Sequence, residues 1–332
     1  MKFASLLLLL ALAFPAAAQS SDPIVTAVEA QDWQTARSEI NKLSTSNDAL
    51  FREKNYEYLL GRIAERTGDV ASATKSYQTI AANESRLKQY ALWRLARFAR
   101  ATGDLVLERE RLQQLVATAP SSLLYEAAAL RLSESFFESG DFQSAANSAK
   151  TLTLSKTVSV SRKGAALMAL SYLKAGKTAE ARDAFTKLVM QMPDASRPDD
   201  FALEAVRQLD LLDKGSTAIL SEAEHLLRAS VYQFNRDFAA ARFHYQLIVA
   251  RFSQSTTVPN ATYQIARGFY SEARYDDAVK LFQMVVDLSP QSSSARDALS
   301  FLGSSYIRMK RTDDAVAAYK LFLDRFPDAP NP

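Results

Sequence analysis

Residues 275–290 read YDDAVKLFQMVVDLSP, and residues 312–327 read TDDAVAAYKLFLDRFP. Superposed, the two stretches share DDAV, an aromatic, a later Asp and a closing Pro, with Ala278 and Ala315 thirty-seven residues apart. In each, a small residue is followed by large apolar ones four and seven positions on (Phe282 and Val285, Tyr319 and Phe322). That spacing places all three on one face of a helix. A proline then ends the helix, because it offers no N–H to the ladder.

The phrase extends outward in both directions as half of a helix pair. Ahead of the second copy stand Leu302, Gly303 and Tyr306, a first helix with a small residue on its apolar face. The same pattern gives Leu60, Gly61, Ala64, Gly68, Ala73, Tyr77 and Ile80 near the other end of the chain. The small second-helix anchor recurs at Ala36, Ala73, Ala145, Ala181, Ala241, Ala278 and Ala315, with Glu108 in phase as the one departure. Steps between anchors are 35 to 37 residues, apart from one of 60. A small residue at each crossing lets two helices approach closely. Gly68, Gly103, Gly140 and Gly176 are expected to stop first helices, and Asp69, Asp104 and Asp141 to cap the second ones.

This pattern resembles the tetratricopeptide repeat, whose period is 34 residues, and the resemblance covers residues 24–327. It implies an all-α fold, a TPR-like α-solenoid coiled as a right-handed superhelix of stacked antiparallel helix pairs. No pair buries its own apolar face, so stacking supplies the core. The 60-residue step falls on residues 194–220. There DASRPDD, a short helical stretch FALEAVRQLDLL and DKGST predict a connector that splits the repeats into segments 19–193 and 221–332.

Composition agrees with a helical, globular chain. Of 332 residues, 48% are apolar and only 9 are Gly, which is enough to bury a large core. The 40 basic and 37 acidic residues give a net charge of +3, with no basic run, which argues against a nucleic-acid partner. There is no Cys, so disulfides, thiolate catalysis and a lipid-accepting cysteine are excluded. The opening MKFASLLLLLALAFPAAAQS carries Lys2, a short apolar core and Ala16-Ala17-Ala18. It has the form of a secretory signal peptide over residues 1–18, against the competing reading of an N-terminal anchor. The expected location is the periplasm, in a form that is not a lipoprotein, and no later segment is apolar enough to span a membrane.

Catalytic constellations are not evident. His225 and His244, nineteen residues apart in different helices, are expected to be surface or packing residues and not metal ligands. The sequence therefore implies no metal, no cofactor and no catalytic residue. Asp276-Asp277 and Asp313-Asp314 are expected to cap helices. Glu134, in ESFF, stands in a sequence form found around the catalytic glutamate of lysozyme-like transglycosylases, but it lies mid-helix in a repeat. Counting from the anchors places Tyr58, Arg62, Arg66, Trp93, Arg97 and Arg100 on a concave groove, with Tyr263, Arg267, Tyr270 and Arg308 at equivalent places later. Arginine beside aromatics suits carboxylates, peptide termini or sugar faces; the bland alternative is a solvated helix face.

Residues 58–80, 90–105 and 225–252 also resemble the N-terminal superhelical region of bacterial soluble lytic murein transglycosylases. That resemblance implies a non-catalytic scaffold serving cell-wall turnover, which in that family precedes a lysozyme-like domain. Other copies resemble stand-alone periplasmic adaptors for outer-membrane assembly or cell division. Partners are accordingly expected to be proteins, peptides or peptidoglycan. With Phe301, Tyr319 and Phe322 in the last pair, the repeats are expected to lack a terminal cap and to self-associate there.

Overall fold

Every repeat turns at a residue with positive φ. In the computed structural model, which describes residues 22–194, 196–214 and 220–329, Gly68, Gly103, Gly140 and Gly176 adopt φ of 73–80°. Gln31, Arg236, Ala273 and Lys310 do the same at 56–63° in the remaining pairs. At every one of these turns but that at Gly140 a backbone N–H reaches back five residues, as Asp69 to Ala64 (2.8 Å) and Arg311 to Tyr306 (2.8 Å). This closes the first helix with a left-handed cap. Ala273 and Lys310 hold a conformation that glycine would adopt without strain, so the pattern of turns is stricter than the pattern of glycines.

The chain divides into two compact units between Gly140 and Asp141. The first holds α1 (Pro23–Glu29), α2 (Trp33–Ser46), α3 (Asp48–Glu53), α4 (Tyr56–Arg66), α5 (Val70–Ala82), α6 (Lys88–Ala101), α7 (Leu105–Thr118) and α8 (Tyr125–Glu138). The second holds α9 (Phe142–Leu152), α10 (Val158–Lys174), α11 (Thr178–Met190), α12 (Asp200–Asp213) and α13 (Glu222–Phe234). It continues with α14 (Phe238–Arg251), α15 (Val258–Ser271), α16 (Tyr275–Leu288), α17 (Ser293–Arg308) and α18 (Thr312–Arg325). Among the described residues every regular element is an α-helix, and none is long and apolar enough to cross a membrane. The leader reading of residues 1–18 lies outside the described residues.

The anchors are core. Ala36, Ala73, Ala145, Ala181, Ala241 and Ala278 are fully buried, and Ala315 nearly so. The small first-helix residue meets the aromatic four positions past the anchor, not the anchor itself. A Cβ on Gly61 would stand 2.8 Å from the Tyr77 ring, and one on Gly303 overlaps the Tyr319 ring. Fully buried Phe282 contributes about 1.5–3 kcal/mol by leaving water, which is why the aromatic position is kept.

Asp69, Asp104 and Asp141 each accept a hydrogen bond from the backbone N–H three residues on (2.9–3.1 Å), as N-caps do. The acidic pairs of the opening phrase do not cap. Their helices begin at Arg274 and Arg311, which make no side-chain cap bond. Asp277 and Asp314 lie in the first turn and pair back to those arginines at 2.6 and 2.7 Å, where negative charge also opposes the helix dipole.

One sequence expectation is corrected. Within residues 194–220, α12 is not a connector that splits the repeats. α12 has 14 residues, as long as most of its neighbours, and Ala202, Ala205, Val206 and Leu209 join one continuous core running from Ala169 to Ile265. The helical stretch looked short because flanking Pro and Gly bracket it, while packing against α11 fixes its length. In the last pair Phe322 is buried, Phe326 lies 6.1 Å from it and Ala329 packs on the same core, while Val316 and Leu323 of α18 are exposed.

Candidate functional site

The residues placed on the groove by their spacing do not all meet. In the first unit, Tyr58, Arg62 and Arg66 line one depression of about 450 Å³ with Trp33 and Leu59. Arg66 lies over the Trp33 ring at 5.1 Å, and Arg62 pairs with Glu65 at 3.6 Å. Trp93 packs half-buried against Leu92 and its neighbours, away from that depression. Arg97 is exposed, and Arg100 reaches Glu108 and Glu138 at 3.7 and 3.5 Å. In the second unit, Tyr263 is core, 5.9 Å from Phe282 and 6.1 Å from Phe301. Arg267 covers the Tyr263 and Phe301 rings, Tyr270 stands edge-on to Phe301, and Arg308 is exposed by itself. Tyr263 therefore presents no surface to a ligand, since its ring sits where the repeat requires bulk.

The departure at Glu108 has a partner that the sequence did not reveal. Its buried carboxylate accepts hydrogen bonds from Arg131 Nε (2.7 Å) and Nη2 (3.2 Å) and from the Ser135 hydroxyl (2.7 Å). Burial pushes the carboxyl above its ordinary value, against the opposing hydrogen bond from Ser135. Arg131 also binds Glu138 and approaches Glu134 at 3.3 Å. The glutamate of the ESFF stretch is thus part of a structural ion-pair cluster.

A second polar cluster lies where α12, α13 and α14 meet, beside a cleft of about 640 Å³. Asp210, from α12, accepts hydrogen bonds from Arg228 Nη1 (2.7 Å), the Tyr232 hydroxyl (2.6 Å) and His244 Nε2 (3.2 Å). Arg228, 4% exposed, also contacts Asp213 at 2.6 Å, and Arg182 closes on the other Asp213 oxygen. These last two contacts are ion pairs without aligned hydrogen bonds. Burial acts to raise the Asp210 pKa, but the His244 and Tyr232 hydrogen bonds, helped by Arg228, hold it below the usual carboxylate range. Burial and the bond to Asp210 push the Tyr232 phenol well above its ordinary value.

The two histidines are neither surface residues nor separate. Each is 1% exposed, and their Nδ1 atoms face each other at 3.0 Å. Tyr232 stacks on the His244 ring at 5.8 Å. A carboxylate only accepts, so His244 Nε2 donates to Asp210. The facing Nδ1 atoms share one hydrogen, and His225 Nε2 is buried with no hydrogen-bond partner.

Burial, together with the His244, Arg228 and Arg251 charges, pushes His225 down to about 4. The unfolded imidazole titrates near its ordinary value of 6.5. Between these values the unfolded state binds more protons, so the contribution to stability is complete above the upper value and is lost as pH falls through the lower one. A shift of that size is worth roughly 3 kcal/mol. His225→Asn keeps an amide that can donate to or accept from His244 Nδ1 and removes the titration. The variant is expected to lose about 2 kcal/mol less than the parent between roughly pH 7 and pH 4.5. Urea midpoints at the two pH values measure this, and equal losses would remove His225 as the cause.

Profiles of the tetratricopeptide repeat match residues 58–122 and 263–330, and a second such profile matches residues 167–194. Those three stretches carry tetratricopeptide repeats. Among solved structures it is similar to a tetratricopeptide repeat protein from Parabacteroides merdae, at 16% identity and TM-score 0.30 over 71% of this chain and 79% of that one. It is similar to MamA at 17% identity and TM-score 0.29, over 59% and 95% of the two chains. It is also similar to the TPR domain of P58(IPK) at 12% identity and TM-score 0.32, over 91% and 81%. Nothing about function follows from likenesses of that degree. Among curated proteins none matches.

The Asp210 cluster lies between the second and third matched stretches, where the tetratricopeptide pattern breaks. The one sequence signal of it was the 60-residue step. Asp210, Arg228, Tyr232 and His244 follow no motif, because their proximity depends on how three helices pack.

Proposed function

We propose that the chain is an exported, periplasmic interaction scaffold whose tetratricopeptide repeats hold protein or peptidoglycan partners. The observation that carries the reading is the depression between α2 and α4, where Tyr58, Arg62 and Arg66 stand around Trp33. A planar guanidinium beside an indole offers both a bidentate donor and a stacking face, which suits carboxylate-bearing peptides or sugar chains. Periplasmic location is supported by Lys2, the apolar run and Ala16-Ala17-Ala18 at the start of the chain. The resemblance of residues 58–80, 90–105 and 225–252 to the superhelical part of lytic murein transglycosylases supports the finer reading, a non-catalytic scaffold at the cell wall.

Two measurements test this. A fusion of residues 1–25 to alkaline phosphatase is expected to be active, since that enzyme works only outside the cytoplasm; an inactive fusion refutes export. The chain is also expected to sediment with purified sacculi, and Arg62→Ala with Arg66→Ala to abolish sedimentation. Failure to sediment, together with crosslinking to periplasmic proteins through the same arginines, would favour the adaptor reading. Sedimentation and crosslinking that both ignore the double substitution would refute the assigned site.

A further inference from the structure

Helix pairing in the second unit leaves one helix over. α11 is a second helix, so α12, packed on it, stands in the place of a first helix. α13 is again a first helix, paired with α14. Residues 214–221 are all that separate α12 from α13, too few for a second helix of the 11 to 14 residues seen elsewhere. The repeat has lost a second helix here. The 640 Å³ cleft opens at that place, on the sides of α12, α13 and α14.

The cleft has three chemically distinct parts. Its wall is apolar, with Leu211 60% and Phe243 58% exposed and Leu247 alongside. Its inner end holds His225, whose buried Nε2 has no hydrogen-bond partner. An unpaired polar atom in such a place is costly, and a bound hydroxyl, which can donate or accept, would recover that cost. Its rim carries Lys214 and Arg251, both exposed, with no ion-pair partner among the described residues. The carboxylates of the cleft do not neutralise them: Asp210 and Asp213 are already engaged by Arg228 and Arg182. The volume is that of a pocket for a small molecule, and mostly apolar walls with a few convergent polar groups are how such pockets are built.

We propose that this cleft binds a small amphipathic organic anion bearing a hydroxyl. The hydroxyl pairs with His225 Nε2, the charge lies between Lys214 and Arg251, and the hydrocarbon covers Leu211, Phe243 and Leu247.

With only two histidines in the chain, nitrogen NMR of the imidazoles resolves the site directly. The probes are 3-hydroxydecanoate, decanoate without the hydroxyl, and methyl 3-hydroxydecanoate without the charge. The hydroxy acid is expected to bind at least about tenfold more tightly than either analogue and to move the His225 Nε2 resonance as it becomes hydrogen-bonded. Lys214→Gln with Arg251→Gln, both at exposed positions, is expected to weaken the acid about tenfold and leave the ester unchanged. No binding of the hydroxy acid overturns the proposal. So does equal binding of all three probes, or binding that leaves the His225 resonance in place.

Discussion

Asp210→Ala is expected to lower the stability of α12–α14 by about 3–5 kcal/mol at neutral pH. Asp210 is the common acceptor for Arg228, Tyr232 and His244. Its removal leaves three donors, two of them on nearly fully buried rings, with no acceptor. Arg228 keeps Asp213, but that contact is not an aligned hydrogen bond and cannot accept from the other donors. Asp210→Asn preserves an acceptor oxygen while losing the charge, so it is expected to cost roughly half as much. Amide hydrogen exchange reads the effect where it occurs: opening energies fall in α12–α14 and stay unchanged in α4–α7, since stability in repeats is local. A loss below about 1 kcal/mol, or one spread evenly over both units, would show that the cluster is not what holds α12 in place.

Arg131→Ala is expected to have a comparable effect in the first unit, about 3–5 kcal/mol at pH 7. Glu108 is 1% exposed, and without Arg131 it retains only the Ser135 hydroxyl and Arg100 at 3.7 Å. The pH dependence has a definite sign. Burial already holds the folded Glu108 pKa above its ordinary value of 4.5, and removing a positive neighbour raises it further. The folded state then takes up a proton before the unfolded state does, so the penalty shrinks as pH falls from 7 towards that ordinary value and grows as it rises. Combining Arg131→Ala with Glu108→Ala is expected to recover most of the loss. It removes the stranded carboxylate and places at 108 the residue that the other seven anchors carry. Urea midpoints across pH for the single and double variants are the measurement. A double variant as unstable as the single would mean that the cost lies in lost packing of the arginine stem.

What could be read from the chain follows from the range of the interactions involved. Ala278, Phe282 and Val285 identify a helix face because their spacing is that of one helix, and eight phased copies identify the stack. The aspartate caps at 69, 104 and 141 were equally legible, since a cap bonds a backbone group three residues away. The acidic pairs at 276–277 and 313–314 were misplaced by two to three residues. Whether a carboxylate caps or pairs with the preceding Arg274 or Arg311 depends on which residue begins the helix, and spacing alone does not fix that. Tyr263 was assigned to the surface because its position counted as groove. The bulk of Phe282 and Phe301 on either side turns it into core.

Local periodicity, a small residue at each helix crossing and the turn chemistry were sufficient for the sequence by itself to determine an all-α stack of helix pairs and the phase of its repeats. These depend on contacts within one helix or between adjacent ones. Only the tertiary structure decided that α12 is a helix of the core with no second helix after it. It alone brought Asp210, Arg228, Tyr232, His244 and His225 together from three helices. Neutralising a buried charge and leaving an imidazole nitrogen without a partner are properties of distances across helices, and no spacing along the chain encodes those distances.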